Sequence, residues 1–258
     1  MKASYHTHTY RCHHAFGSEE EYIIKAIAEG VKILGFADHA PMPYKDGYVS
    51  CYKMRPEETG EYFSVLSSLR EKYKNEIEIK IGFETEYYPS LWKSSLEFWR
   101  QYPVDYFILG QHFVPEEQNG FHSAAKTTEK KRLTDYVNAV ISGMNTGIIT
   151  YLAHPDIINY AGEDKEFYLS EMRRIIFEAK RLDMPLEYNL LGMSEGRSYP
   201  NPVFWEEVAS LGAKVVVGCD SHSPTRVADR GEIEEAYRFL RSLSIEPLDE
   251  IELKKPIL

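Results

Sequence analysis

Cysteine is scarce in this chain, and the few present form no pattern. Cys12, Cys51 and Cys219 make an odd set of three with no C-x-x-C spacing, which excludes a disulfide framework and a zinc finger. Long apolar runs are missing too. Nothing approaches the roughly 18 residues that a bilayer-spanning helix needs, so no membrane partner is expected. The opening MKASYHTHTYRCHHAFG has no apolar segment of the secretory kind, and a reducing cytoplasm is the expected location. Positive charge is in deficit: 30 Lys+Arg against 40 Asp+Glu give a net −10. That speaks against a surface that grips extended nucleic acid. The glycine-rich first loop of dinucleotide-binding sheets is also absent. Disorder is excluded by what remains, since 43% of the 258 residues are apolar and 13% are aromatic.

What is present is an alternation. Short apolar, β-branched runs read as strands at Lys2–His8, Val31–His39, Ile77–Tyr87, Asp105–Phe113, Ile148–His154, Pro185–Leu190 and Lys214–Asp220. Amphipathic runs between them read as helices. The first opens on a capping box, Ser18-x-x-Glu21, and ends at Gly30. The others are Glu57–Tyr73, Leu91–Arg100, Lys126–Met144, Lys165–Leu182, Val203–Leu211 and Ile233–Leu243. Such alternation implies a parallel sheet with helices outside. Seven units point to a closed or nearly closed α/β barrel spanning 1–258 as one domain.

The nine histidines matter for where they fall. Strand ends carry His6-Thr7-His8, Asp38-His39, Glu84-Thr85-Glu86, Gln111-His112, His154-Pro155-Asp156 and Asp220-Ser221-His222. Barrel enzymes place their chemistry at the C-terminal ends of strands. His6 and His8 stand two apart, so on a strand both rings face one point. Asp220 and His222 repeat that spacing, and His14 follows in the first loop. His39, Glu84, His112 and His154 add one ligand each. Zinc takes about four ligands and iron or manganese about five or six. Nine ligands with a bridging carboxylate therefore suit three divalent ions: zinc, iron or manganese. Two carboxylates and seven neutral imidazoles total −2, against about +6 from three such ions. The surplus invites anions, hydroxide and phosphate among them.

Other residues carry weaker expectations. His13 is expected to point away from the site, and His122 to be a solvated loop histidine. Cys12 lies inside the metal loop. Glu86 faces the same side as Glu84 and could support a ligand. Asp38 is expected opposite His39, and Asp156 in a supporting or capping role. The strand-six end, Glu187-Tyr188-Asn189, is the poorest in ligand types. Tyr5, Tyr10, Tyr44, Tyr48, Tyr52, Tyr88 and Tyr199 crowd the loops, mostly as packing, with one or two expected to line a pocket.

Together, His6-Thr7-His8-Thr9, Cys12-His13-His14, Gly35-Phe36-Ala37-Asp38-His39-Ala40-Pro41, Glu84, Gly110-Gln111-His112-Phe113, Ala153-His154-Pro155 and Gly218-Cys219-Asp220-Ser221-His222 resemble the polymerase and histidinol phosphatase (PHP) family. The opening HTHTYRCHHAFG and the GFADHAP segment are most similar to its histidinol-phosphatase branch, as is Glu187-Tyr188-Asn189 followed by Gly192 and Tyr199-Pro200. The resemblance implies a distorted (β/α)7 TIM-like barrel, a site for three metal ions, and hydrolysis of a small phosphorylated substrate, L-histidinol phosphate in that branch. It implies His6, His8, His14, His39, Glu84, His112, His154, Asp220 and His222 as ligands, with Glu84, Asp220 and His222 catalytic. That branch often places arginines near the fourth strand end and after the sixth strand. Here Phe113 and Val114 follow His112, and Arg197 is the candidate phosphate-binding residue in the second place.

Three rivals are weighed against this reading. An amidohydrolase-like barrel also opens with H-x-H, but usually has eight strands and a lysine or carboxylate bridge on the fourth. A phosphoesterase of other specificity, for phosphotyrosine or nucleotides, shares the ligands. A non-catalytic metal-stabilised module is disfavoured by the completeness of the ligand set.

Overall fold

The computed structural model describes all 258 residues. Its strands are β1 (Ala3–Ser4), β2 (Ile33–His39), β3 (Glu78–Thr85), β4 (Tyr106–Leu109), β5 (Phe113–Val114), β6 (Phe121–His122), β7 (Ile149–Leu152), β8 (Leu186–Asn189) and β9 (Val215–Gly218). Seven of them form one sheet in the order β1-β2-β3-β4-β7-β8-β9. Every pairing in it is parallel. The sheet closes beyond its first and last strands. His8 N donates to Ser221 O at 3.0 Å, Ser221 N donates to His6 O at 3.2 Å, and Thr7 and Ser221 form a parallel bridge. The expected seven-stranded barrel is therefore present, and no eighth strand joins it.

Helices α1 (Glu19–Ala28), α2 (Thr59–Tyr73), α3 (Trp92–Trp99), α4 (Lys130–Met144), α5 (Lys165–Arg181), α6 (Leu190–Ser194), α7 (Pro202–Leu211) and α8 (Arg230–Ser242) follow the strands of the sheet, α6 and α7 both after β8. Their starts follow local chemistry. Ser18 and Glu21 form the reciprocal capping box of α1. Asp164 and Asp229 cap α5 and α8 by accepting from backbone N–H groups of the first turn. The short α6 went unforeseen; Asn189 at the end of β8 caps it, accepting from Gly192 N.

The apolar interior has two parts. The larger lies between strands and helices and includes Phe36, Phe83, Trp99, Tyr136 and Trp205. The smaller fills the barrel lumen with Tyr5, Tyr106, Ile108, Tyr151, Val216 and Ile251. Tyr106 OH donates to Tyr5 O at 2.6 Å across that lumen. Leu248 N bonds Val215 O at 2.8 Å, so the C-terminal segment plugs the end opposite the histidines. No helix is long and apolar enough to cross a membrane.

All seven expected strands prove shorter, and the two that lose most, the first and the fourth, do so for physical causes. The ladder of the first stops at Ser4, and residues 6–8 instead bridge to 37 and 221: Ala37 N donates to Thr7 O at 2.9 Å. The fourth, expected over Asp105–Phe113, ends at Leu109. Beyond it the Glu86 carboxylate takes the backbone N–H groups of His112 and Phe113, each at 2.8 Å. Those groups are thereby withdrawn from any ladder. Phe113–Val114 then pairs antiparallel with Phe121–His122 in a hairpin above the barrel mouth.

Candidate metal centre

The C-terminal ends of the strands bring all nine expected ligands to one place. Glu84, at the end of β3, lies at the middle. Its Oε1 is 2.8 Å from His154 Nε2 and 3.6 Å from His112 Nε2. Its Oε2 is 3.0 Å from His39 Nδ1 and 3.6 Å from both His6 Nε2 and His8 Nε2. One carboxylate thus faces two groups of imidazoles, one with each oxygen. Asp220 Oδ1 lies 3.1 Å from His8 Nε2 and 3.5 Å from His6 Nε2. A third group, His14, His39 and His222, holds its ligand atoms within 4.8 Å of one another.

Backbone geometry makes this convergence possible. His154 and Asp220 both adopt positive φ, 29° and 50°, a region non-glycine residues rarely occupy. Such strain concentrates at functional sites. Gly110 stands beside Glu84, and a Cβ there would overlap the carboxylate. Gly218 makes the same room for Glu187.

Hydrogen bonds fix which imidazole nitrogens carry protons. His6 Nδ1 lies 2.8 Å from Glu187 Oε2, and His8 Nδ1 lies 3.4 Å from Asp38 Oδ1. A carboxylate can only accept, so each Nδ1 holds the proton and each Nε2 presents a lone pair. Yet the two Nε2 atoms face each other at 3.1 Å. The third group repeats the arrangement. His14 Nδ1 donates to Cys12 O at 2.7 Å and His222 Nδ1 to Asp220 O at 3.0 Å, leaving Nε2 lone pairs 3.1 Å apart. Two facing lone pairs repel unless a cation lies between or beside them. Ring N–H groups held by carboxylates and carbonyls are also how metal-bound histidines are oriented. The residues present therefore fit divalent ions.

The electrostatics agree. Burial opposes charge on His6 and His8, but surrounding carboxylates outweigh it and push both well above the ordinary range: Glu187, Asp220 and Glu84 at His6, Asp220 and Asp38 at His8. The carboxylates demand positive charge at that point. Burial holds His112 and His222 well below the usual range and pushes His39 down to about 4, so those rings are neutral. Glu84 and Asp220 stay ionised despite burial, because imidazoles surround them.

Above the ligands lies a cavity of about 490 Å³, lined in part by His14, His39, His112, Asp220, His222 and Arg197. Arg197 does reach it. Its guanidinium is held by Glu195 Oε2, 2.9 Å from Nε, and by Tyr199 OH, 2.8 Å from Nη1. Of the tyrosines, Tyr52 and Tyr199 line the cavity, while Tyr5 lies in the lumen. Other weaker expectations also have answers. His13 takes φ 67° after a single 3-10 turn and points to the surface. Asp38 turns away from the His39 ring and buttresses His8. Glu86 supports the backbone of His112. Asp156 accepts from Asn201 N at 2.6 Å and Trp205 Nε1 at 3.0 Å, bracing the loop after β8. Cys12 is buried with its sulfur near His8 and His222.

His122 corrects the sequence expectation. It is half-buried and lines the cavity, because the β5–β6 hairpin folds over the mouth. Glu187, expected only as part of a strand end poor in ligand types, acts on the far side of the His6 ring. Its period-two spacing with Asn189, which donates to both Glu187 Oε1 and Asp220 Oδ2, was the available signal. Lys53 and Arg226 also line the cavity. Lys53 is buried in an ion pair with Glu86 and lies 2.8 Å from Glu117, a pairing no sequence pattern announces.

The model of the PHP domain family matches residues 4–190. The chain belongs to that family. Among curated relatives, a probable histidinol-phosphatase of Deinococcus radiodurans is 25% identical over 236 residues, covering 87% of this chain and 88% of the relative. Another, from Schizosaccharomyces pombe, is 26% identical over 265 residues, covering 92% and 86%. The crystal structure of histidinol phosphate phosphatase from Lactococcus lactis, complexed with zinc, L-histidinol and phosphate, superposes with a TM-score of 0.74 at 19% identity, covering 97% of this PHP chain and 98% of that one. That likeness establishes the shared barrel. Asp220 and His222 lie beyond the residues matched by the family model, and the Thr7–Ser221 bridge carries them into the PHP site.

Proposed function

We propose that this PHP protein is a metal-dependent phosphomonoester hydrolase that converts L-histidinol phosphate and water to L-histidinol and phosphate. The observation that carries the reading is the arrangement of lone pairs. His6 and His8, and His14 and His222, turn their Nε2 atoms toward each other at 3.1 Å, the other five candidate ligands lie around them, and Glu84 spans two groups of imidazoles. Three divalent ions fit this set: one among His6, His8, Glu84 and Asp220, one among Glu84, His112 and His154, and one among His14, His39 and His222. Zinc, iron and manganese all accept such imidazole–carboxylate donors, and the Lactococcus relative carries zinc. Divalent ions in such a site supply an acidified water and a clamp on the phosphoryl oxygens.

The chain's own residues do the rest. Glu187 and Asp38 hold the His6 and His8 rings in the tautomer that offers Nε2. They also raise the carboxylates touching the cluster from two to four, which trims the positive surplus and leaves room for one phosphate dianion. Glu84 and Asp220 stay ionised and fix the spacing of the groups. Arg197, fastened by Glu195 and Tyr199, presents charge to a phosphate in the cavity. The cavity, about 490 Å³, is of a size for a small monoester.

The test is a panel of phosphomonoesters, L-histidinol phosphate among them, assayed with metal-reconstituted protein. A clear kcat/KM preference for L-histidinol phosphate is expected. Equal turnover of a generic aryl phosphate would remove the histidinol assignment, and no turnover of any monoester would remove the phosphatase assignment. Arg197→Ala is expected to lower kcat/KM by about 10- to 100-fold with metal content intact, the loss of one charge-assisted hydrogen bond.

A further inference from the structure

The cavity wall holds one imidazole that the metal cluster does not use. His122 ends strand β6, directly across the hairpin from Phe113. The hairpin is tied to the site beneath it. Ser123 N donates to His112 O at 2.6 Å, and Ser123 OH donates to Gln111 O at 2.8 Å. The His122 ring packs edge-on against Phe113, with centroids 4.8 Å apart at 81°. It stands 6.3 Å from the ring of His112, one layer above the ligands.

Its proton position is fixed. Nδ1 accepts the backbone N–H of Ala124 at 3.1 Å. A nitrogen accepting that bond cannot carry a proton, so the neutral ring holds its hydrogen on Nε2. The other nitrogen donors around the cavity outside the ligand set are already engaged by carboxylates: Lys53 by Glu86 and Glu117, Arg197 by Glu195, and Arg226 by Glu232. His122 Nε2–H has no partner within the protein. Phe113 packs on its ring, and Ala124 and Ile157 also line the cavity; these three suit a carbon skeleton rather than phosphoryl oxygens.

We infer that His122 is a catalytic residue whose Nε2–H donates a hydrogen bond to the ester oxygen of the departing group. This rests on the phosphomonoesterase reading above. A phosphoryl group drawn down onto the ligand cluster leaves its ester oxygen one layer up, at the height of His122 and at the start of the apolar wall. In the reaction, the water oxygen bonds to phosphorus. The ester P–O bond breaks with its electron pair going to the leaving oxygen, and the proton given up by the water ends on that oxygen. His122 gives no proton. Its N–H bond strengthens as negative charge grows on the leaving oxygen, which is the differential binding that lowers a barrier.

The consequence is a dependence on the leaving group. Alkyl phosphates build the most charge on that oxygen and need the donor most, whereas p-nitrophenyl phosphate needs it least. His122→Phe preserves the edge-on packing and removes the donor; His122→Gln restores an N–H. Both are compared with wild type on p-nitrophenyl phosphate and on alkyl monoesters, L-histidinol phosphate included, with bound metal measured in parallel. His122→Phe is expected to lower kcat about 10- to 100-fold on alkyl esters and by less than about 3-fold on p-nitrophenyl phosphate, with partial recovery in His122→Gln. An equal loss on both ester classes, or no loss on either, would overturn the inference. A loss that tracks metal content would overturn it as well. Wild-type protein inert toward every monoester would instead overturn the phosphatase reading itself, and this inference with it.

Discussion

Glu187 Oε2 lies 2.8 Å from His6 Nδ1, on the side of the ring away from Glu84. That contact fixes the tautomer of a ligand through a residue that reaches no substrate. Gly218 leaves room for the carboxylate, and Asn189 holds its other oxygen at 2.7 Å. Replacing Glu187 with Gln keeps the shape but removes the charge. Metal affinity is expected to fall about 10- to 100-fold, read by competition with a calibrated chelator. Unchanged affinity would show that the His6 ring is held by packing alone.

Removing metal should weaken the fold. Without cations, two pairs of imidazole nitrogens face each other at 3.1 Å, and the buried carboxylates keep only the protons they draw onto His6 and His8 as counter-charge. Binding to the native state alone stabilises by about 2.7 kcal/mol at a hundredfold excess over Kd. Dialysis against chelator is expected to lower Tm, and adding zinc or manganese to raise it in a concentration-dependent way. A Tm indifferent to both would contradict the assigned donor set.

Gly110 offers a sharper test, because no ligand is altered. A Cβ at that position would overlap the Glu84 carboxylate, so Gly110→Ala is expected to displace Glu84 and lose bound metal and turnover together. Gly60, in α2, has open space around it. Gly60→Ala is expected to raise stability by about 0.5–1 kcal/mol and leave metal binding alone. Denaturant titration and metal analysis of both variants check the contrast.

Asp156 sets a pH dependence. Burial pushes its carboxyl up to about 6, against hydrogen bonds from Asn201 N and Trp205 Nε1 that pull the other way. A folded-state pKa above the unfolded value means the native state holds the proton more tightly. The folded protein therefore loses stability from this group as pH rises from about 4 to 6, and carries the full penalty of about 3 kcal/mol above that. Asp156→Asn keeps an acceptor for both donors and removes the titration. In metal-free protein, the variant is expected to exceed wild type in urea stability at pH 7–8 and to match it near pH 4. A difference independent of pH would remove Asp156 as the source.

Much of the fold could be read from residue patterns. The seven apolar runs were strands because both faces are covered, so burial left them without polar alternation; β2 is buried along its whole length. The capping box at Ser18 and Glu21 acts between neighbours in sequence and so was legible there. The strand-end boundaries were not. Where Asp105–Phe113 stops being a strand depends on Glu86, some 26 residues earlier, taking the N–H of His112.

The sequence by itself determined which nine donor-bearing residues stand at or near the strand ends, because spacing on a strand dictates direction and residue type dictates donor atoms. Tertiary structure decided the rest. Closure through Thr7 and Ser221 sets the first strand end beside the last, which local pattern cannot encode. It also decided which nitrogen of His6, His8, His14 and His222 faces the cluster, through Glu187, Asp38 and the carbonyls of Cys12 and Asp220. It folded the β5–β6 hairpin inward, turning His122 from an expected surface residue into part of the cavity wall. Each of these depends on contacts between segments far apart in the chain, and only the closed barrel brings those segments within hydrogen-bonding reach.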